Sequence, residues 1–246
     1  MSDSKAALIV GASQGIGLEF VKQFLAHHRV DRLYATHRAP QAELLTLSDA
    51  RLQCLSMDIT DEDQIAKAIQ TIKTETNALH YVINCVGLLH DGTLQPEKSL
   101  RHLNADQLYR YFQVNSIGAV LLAKHVQALF KHRDRSIFAT ISAKVGSIGD
   151  NQLGGWYGYR ASKAALNMFM KTTAIEYKRT CPKAIVVTLH PGTTDTKLSK
   201  PFQRGVPPEK LFSVDRTVGQ LLTVIDGLQE SDSGEFFSWD GSRLPW

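Results

Sequence analysis

The chain has 246 residues, 43% of them hydrophobic and 21% charged, with 28 Lys and Arg against 24 Asp and Glu. That composition suits one large globular domain or two small ones and excludes wholesale disorder. Apolar runs such as residues 118–123 fall far short of the roughly 18 residues of a membrane span. The formal charge of +4 is spread along the chain without the basic face and interleaved aromatics of a nucleic-acid groove. The N-terminal stretch carries no readable secretory signal. Cys54, Cys85 and Cys181 are an odd set without metal-ligand spacing. They suit a reducing compartment, so a cytoplasmic protein without a metal site, a membrane anchor or a nucleic-acid partner is expected.

In chain order, short β-branched or aliphatic runs alternate with longer stretches of helical period. Strands are predicted over residues 6–10, 33–36, 52–57, 81–85, 137–142, 185–190 and 236–239, and helices over 16–26, 62–76, 105–130, 159–179 and 214–228. Several strands are apolar on successive residues, as in a parallel sheet covered on both faces. The alternation predicts an α/β fold with a doubly wound, seven-stranded parallel sheet. No repeat or Pro/Gly/Ser linker divides residues 1–246, which read as a single domain. Two irregular stretches, 88–104 and 193–212, follow strand ends and read as lids or binding loops, since ligands of open α/β sheets bind there.

After the first strand comes Gly11, Ala12, Ser13, Gln14, Gly15, Ile16, Gly17. Glycines let the backbone turn sharply and approach a ligand. The helix N-terminus that follows offers unpaired N–H groups and positive dipole to a pyrophosphate. No Lys-Ser/Thr pair follows, which excludes a P-loop. Dinucleotide binding is the expectation, with Gly11, Ser13, Gln14, Gly15, Ile16 and Gly17 forming the cradle. The second strand ends on Arg38 with no carboxylate before Pro40. An acid there would favour NAD(H); a base accepts the 2′-phosphate of NADP(H), which is therefore preferred. A surface role for Arg38 stays open beside that reading.

Tyr159 and Lys163 stand four apart at the start of a predicted helix, on one face. Together with the upstream glycine turn, this pair resembles the short-chain dehydrogenase/reductase family over nearly the whole chain, with its Rossmann-like fold. The resemblance implies that Tyr159 is the general acid/base and that Lys163 also holds the nicotinamide ribose. An ammonium about 5 Å from a phenol at an effective dielectric of roughly 20 is worth about 3 kcal/mol, enough to lower the phenol by some two pKa units. The resemblance further assigns Asn115 to a proton relay behind the lysine. It places Asn84, Val86 and Gly87 in the turn beside the adenosine, and Asp58 and Ile59 at the adenine. Pro191, Gly192, Thr194 and Thr196 match the turn that contacts the nicotinamide amide. Asp58 reads equally as a cap of the following helix. Cys85 and Val86 depart from the family's Asn-Ala at those places.

The family's catalytic serine ends the fifth strand and hydrogen-bonds the substrate oxygen. Counting back three from Gly146 lands on Ala143, so Ser142 is the candidate, with Ser147 as a second. A one-residue shift in a strand points a side chain to the other face. Residues 146–167 and the chain end are similar to the C-factor and sniffer-type carbonyl reductase branch. Trp156 and Tyr157 either line the substrate mouth or pack as aromatics. The expected activity is NADP(H)-dependent hydride transfer between nicotinamide and a small carbonyl or alcohol substrate. A dinucleotide-binding regulatory or signalling protein is the alternative. Family members usually form homodimers or homotetramers through the two long helices, so self-association is expected.

Overall fold

Five-residue runs such as Ala-Ala-Leu-Ile-Val carry no polar side chain toward either face, so both faces of the strand they form must be covered. The computed structural model, which describes residues 4–27, 29–39 and 42–246, covers them with two layers of helix. The elements run β1 (Ala6–Val10), α1 (Gly15–Ala26), β2 (Arg32–His37), α2 (Ala42–Leu45), β3 (Leu52–Ser56), α3 (Glu62–Glu75), β4 (Tyr81–Asn84), α4 (Ala105–Phe112), α5 (Gly118–Val126) and β5 (Ser136–Ile141). They continue with α6 (Tyr157–Thr180), β6 (Ala184–His190), β7 (Thr193–Thr194), β8 (Leu211–Phe212), α7 (Val214–Gly227) and β9 (Phe236–Ser238).

The seven-stranded sheet has the order β3-β2-β1-β4-β5-β6-β9, and every neighbouring pair is parallel. Alternate side chains of each strand enter different cores. Leu8, Val10, Phe138 and Val186 meet α3, α5 and α6 through Ile65, Ile69, Leu122 and Met170. Ile9, Ile137 and Val187 meet α1 and α7 through Phe20, Phe24, Val218 and Leu221. The order reverses between β1 and β4, whose pairing puts Val10 beside Asn84. A crevice opens where connections diverge at such a switch point.

Two expectations about elements need correction. The helix expected over 105–130 is three pieces: α4, a π turn over Gln113–Ile117, then α5 ending in a 3₁₀ turn, Gln127–Phe130. Periodicity cannot register a single inserted residue, which is how a π turn arises. The stretch 193–212 is not wholly irregular either, because β7 and β8 pair in parallel and tie its ends together. Among the described residues no helix is long and apolar enough to cross a membrane.

Candidate active site

Gly11 adopts φ +79° and Gly15 φ +55°, a region that L side chains rarely enter. A Cβ on Gly11 would lie 2.8 Å from Val86 Cγ2, and one on Gly17 would lie 2.2 Å from the Gly11 carbonyl oxygen. The Ala12 N–H donates to the Thr36 carbonyl at 2.8 Å and closes the turn against β2. Gln14, exposed and extended, precedes α1 without a side-chain cap, and the first turn carries no acid. Ser13 is half-buried beside it, and Ile16 packs into the core shared with α7. The amides of the α1 N-terminus are thus left without a competing carboxylate, which fits a pyrophosphate. Arg38, just past β2, is exposed and has no carboxylate partner among the described residues.

Across the crevice, Asn84 is buried and its Oδ1 accepts from the Val86 N–H at 3.1 Å, folding the chain back toward Gly87. A Cβ on Gly87 would lie 3.5 Å from Lys163 Nζ and 3.9 Å from Asn115 Oδ1. Asn115 sits inside the π turn. Its Oδ1 accepts from the Leu88 N–H at 2.7 Å, and its Nδ2 donates to the Leu88 carbonyl at 2.8 Å and to Ser162 Oγ at 3.0 Å. It therefore splices α4–α5 to the chain leaving β4. Asp58 Oδ1 accepts from the N–H and hydroxyl of Thr60, while Asp61 caps α3; the capping role considered for Asp58 belongs to Asp61. Ile59 is buried and meets α5, its carbonyl 2.6 Å from the place of a Cβ on Gly118.

Tyr159 and Lys163 lie in the first two turns of α6, and both are buried. Lys163 Nζ is 5.9 Å from the centroid of the Tyr159 ring and donates to the Ile141 carbonyl at 3.0 Å. Burial lowers the Lys163 pKa to about 8. Burial also raises the Tyr159 phenol well above its ordinary range. Burial penalises the phenolate and so opposes the acidification expected of the lysine.

The register at the end of β5 sets Ser142 and Ala143 in different surroundings. Ser142 is buried, and its Oγ donates to Asn167 Oδ1 at 2.7 Å. Ala143 packs instead in the apolar cluster that contains Tyr159. Strand alternation is the reason: consecutive residues face opposite ways. Ser147 is buried too, its Oγ accepting from the Asp150 N–H at 3.1 Å. Ala143 thus presents a methyl group to the cluster around Tyr159.

Gly192, with φ +74°, turns the chain beyond β6; a Cβ there would lie 2.6 Å from Phe212. Thr194 is turned inward, its hydroxyl 2.9 Å from that of Thr217. Its Oγ1 also donates to the Pro191 carbonyl at 3.4 Å. Thr196 reaches back to the glycine turn, with Cγ2 3.3 Å from the place of a Cβ on Gly15. Farther along, Phe202 meets Trp156 edge-on at 4.9 Å and His90 at 5.7 Å between ring centroids. Trp156, in the left-handed region at φ +52°, also meets the Tyr159 ring at 6.1 Å. Trp156 therefore packs against the phenol that lies at the heart of the site, and Tyr157 stays partly exposed. Residue spacing carried no signal for Tyr111; its contact with Tyr159 arises only where α4 packs against α6.

Among the described residues, His80, His132 and Asp134 alone bring three metal-ligand atoms within 4.8 Å of one another, at the amino end of the sheet. His80 Nδ1 already accepts from the Ala6 N–H at 3.2 Å. The neutral ring then carries its proton on Nε2, which faces Asp134 and has no lone pair for a cation.

A doubly wound sheet with a glycine turn at its switch point and a Tyr–Lys pair over the crevice defines a dinucleotide-fold oxidoreductase. The chain belongs to the short-chain dehydrogenase family, whose model matches residues 5–206. Its fold superposes on a carbonyl reductase from chicken fatty liver, solved with NADPH bound, with TM-score 0.87, 26% identity and coverage of 99% of this chain and 94% of that one. The carbonyl reductase Sniffer of D. melanogaster superposes with TM-score 0.86 at 24% identity, covering 99% of this chain and 100% of that one. C-signal of Myxococcus xanthus is 33% identical over 138 residues, which span 56% of this chain and 77% of the relative.

Proposed function

We propose that this protein is an NADP(H)-dependent reductase of small carbonyl compounds, with Tyr159 as proton donor. The observation that carries the reading is the placement of Lys163 Nζ over the Tyr159 ring and beside Gly87, on the crevice that the glycine turn borders. Arg38 suits the 2′-phosphate and the uncapped α1 N-terminus the pyrophosphate of such a cofactor. When bound, the dihydronicotinamide supplies the hydride.

This chain's own residues handle the proton. Burial keeps the Tyr159 phenol protonated, so it meets a carbonyl oxygen as an acid. Lys163, with a pKa near 8, remains mostly an ammonium at neutral pH and stabilises the phenolate left behind. Asn115 fixes the Leu88 backbone and thereby the wall opposite the lysine. Leu88, Leu89, Trp156, Leu198 and Phe202 around Tyr159 exclude water and suit an apolar substrate.

Turnover tests the proposal. Tyr159→Phe is expected to lower kcat at least 1,000-fold, an order of magnitude typical of a lost acid with its transition-state hydrogen bond, with NADPH affinity within about twofold. Full activity in that variant would refute the role. Ala143, in place of a hydroxyl, favours a second reading: a dinucleotide-binding signalling protein with little turnover. A panel of aldehydes, ketones and quinones with NADPH and NADH separates the two, because oxidation of either coenzyme eliminates the second.

A further inference from the structure

The catalytic helix starts without a cap of its own. Gly154, Gly155 and Trp156 lead into α6 with φ of +65°, +66° and +52°. Trp156 offers no side-chain hydrogen bond, and the first turn holds no acidic residue. Two glycines before a helix give its first turn freedom to slide. Something else must hold it.

That partner comes from the stretch that follows β4. Glu97, in the irregular stretch 88–104, is only 2% exposed. Its Oε2 accepts from the Gly158 N–H at 3.1 Å, and its backbone carbonyl accepts from the Trp156 N–H. The carboxylate thus meets two needs of the helix end, an acceptor for an orphan amide and a negative charge at the positive pole. The remaining oxygen, Oε1, is buried with no partner, so the carboxylate is not placed for general solubility or a surface ion pair. A Cβ on Gly158 would lie 2.4 Å from Tyr111 Cδ2 and 2.9 Å from Glu97 Oε1, so the chain is clasped there. Tyr111 in turn donates to the Leu89 carbonyl at 2.6 Å and sets its ring edge-on to that of Tyr159 at 6.3 Å.

We infer that Glu97 is a positioning residue for Tyr159: it caps the catalytic helix from the segment that walls the cleft. Helix start and wall are held as one body, one residue before the phenol. The inference rests on the reading of Tyr159 as proton donor for its effect on rate, but the clasp itself is measurable without turnover.

Three variants of the full chain, Glu97→Ala, Glu97→Gln and Glu97→Asp, test it by two readouts. Hydrogen exchange of the 156–160 amides should speed about tenfold in Glu97→Ala and return near the parent in Glu97→Gln, whose amide oxygen still accepts from Gly158. With an active parent, Glu97→Ala should lower kcat about 30-fold while NADPH affinity stays within threefold, and Glu97→Gln should restore kcat to within about fivefold. A loss of rate measured well below the unfolding transition, with rescue by Gln, is not what a general loss of stability produces. Should Glu97→Ala fail to fold, Glu97→Asp withdraws the carboxylate by one methylene and is expected to lower kcat about tenfold. Unchanged exchange in the folded variants overturns the clasp. Parental kcat in Glu97→Ala, or in Glu97→Asp if Ala does not fold, overturns the effect on Tyr159. A parent inactive on every carbonyl overturns the reductase reading instead, and the exchange readout still decides the clasp.

Discussion

Ser142, just past β5, and Asn167 on α6 are locked to each other by a 2.7 Å hydrogen bond, and the next residue, Ala143, packs in the cluster that contains Tyr159. The substrate oxygen would therefore meet one protein hydroxyl where a serine at position 143 would supply a second donor. A well-placed donor to a developing oxyanion is worth about a hundredfold or more in kcat. Ala143→Ser is expected to raise kcat/KM for a carbonyl substrate by about tenfold, less than the full value because the surrounding shell is built for a methyl group. Ser142→Ala should leave kcat within twofold yet destabilise the fold by about 1–3 kcal/mol, since Asn167 Oδ1 loses its buried donor. Steady-state kinetics and urea unfolding on both variants check this pair.

Arg38 follows β2 without a carboxylate partner among the described residues and is free to meet a 2′-phosphate. Arg38→Asp removes that charge-assisted pairing and adds repulsion against the phosphate. The ratio of NADPH to NADH affinity should fall at least 100-fold, read by fluorescence titration of each coenzyme. Equal affinities in the parent would show that Arg38 makes no phosphate contact.

His190, at the end of β6, is half-buried, and its Nδ1 is buried without a partner. Burial lowers its pKa to about 4, with the Lys144 charge adding to the effect. The unfolded chain, near 6.5, then binds the proton more tightly than the native one. Stability is fully present above pH 6.5 and is lost as pH falls from there toward 4. The loss should be about 2 kcal/mol between pH 7 and pH 4.5 after discounting for the ring's partial exposure. His190→Asn should flatten that part of the profile in urea unfolding at the two pH values.

Met168 and Ile175 stand seven apart on α6 and are 66% and 59% exposed, as is Tyr109 on α4 at 73%. Exposed apolar side chains at helical spacing mark a surface suited to self-association. Met168→Lys combined with Ile175→Glu is expected to shift the protein from oligomer to monomer in light scattering. A parent that is already monomeric at micromolar concentration would exclude this surface.

Local geometry made part of the molecule legible in one dimension. The α/β alternation, the glycine turn and the four-residue step from Tyr159 to Lys163 all depend on neighbours within a few residues, where the periods of strand and helix decide which way a side chain points. All seven strands of the sheet were recoverable for that reason, although their ends moved by a residue or two. Position 38 was readable in the same way, since Arg38 directly follows β2.

The remaining features join parts of the chain far apart in sequence. Ser142 meets Asn167 across 25 residues, Asn115 meets Ser162 across 47, and Glu97 meets Gly158 across 61. The same packing removes water from Tyr159 and Lys163, so their proton affinities are set by burial as well as by spacing. Sequence by itself determined the sheet, the glycine turn at its switch point and the Tyr159–Lys163 step on one helix face. Tertiary structure alone decided which face the residue after a strand shows, what holds the start of α6 in place, and how much water reaches the Tyr159 phenol. Such outcomes depend on segments meeting in space, which no short-range period encodes.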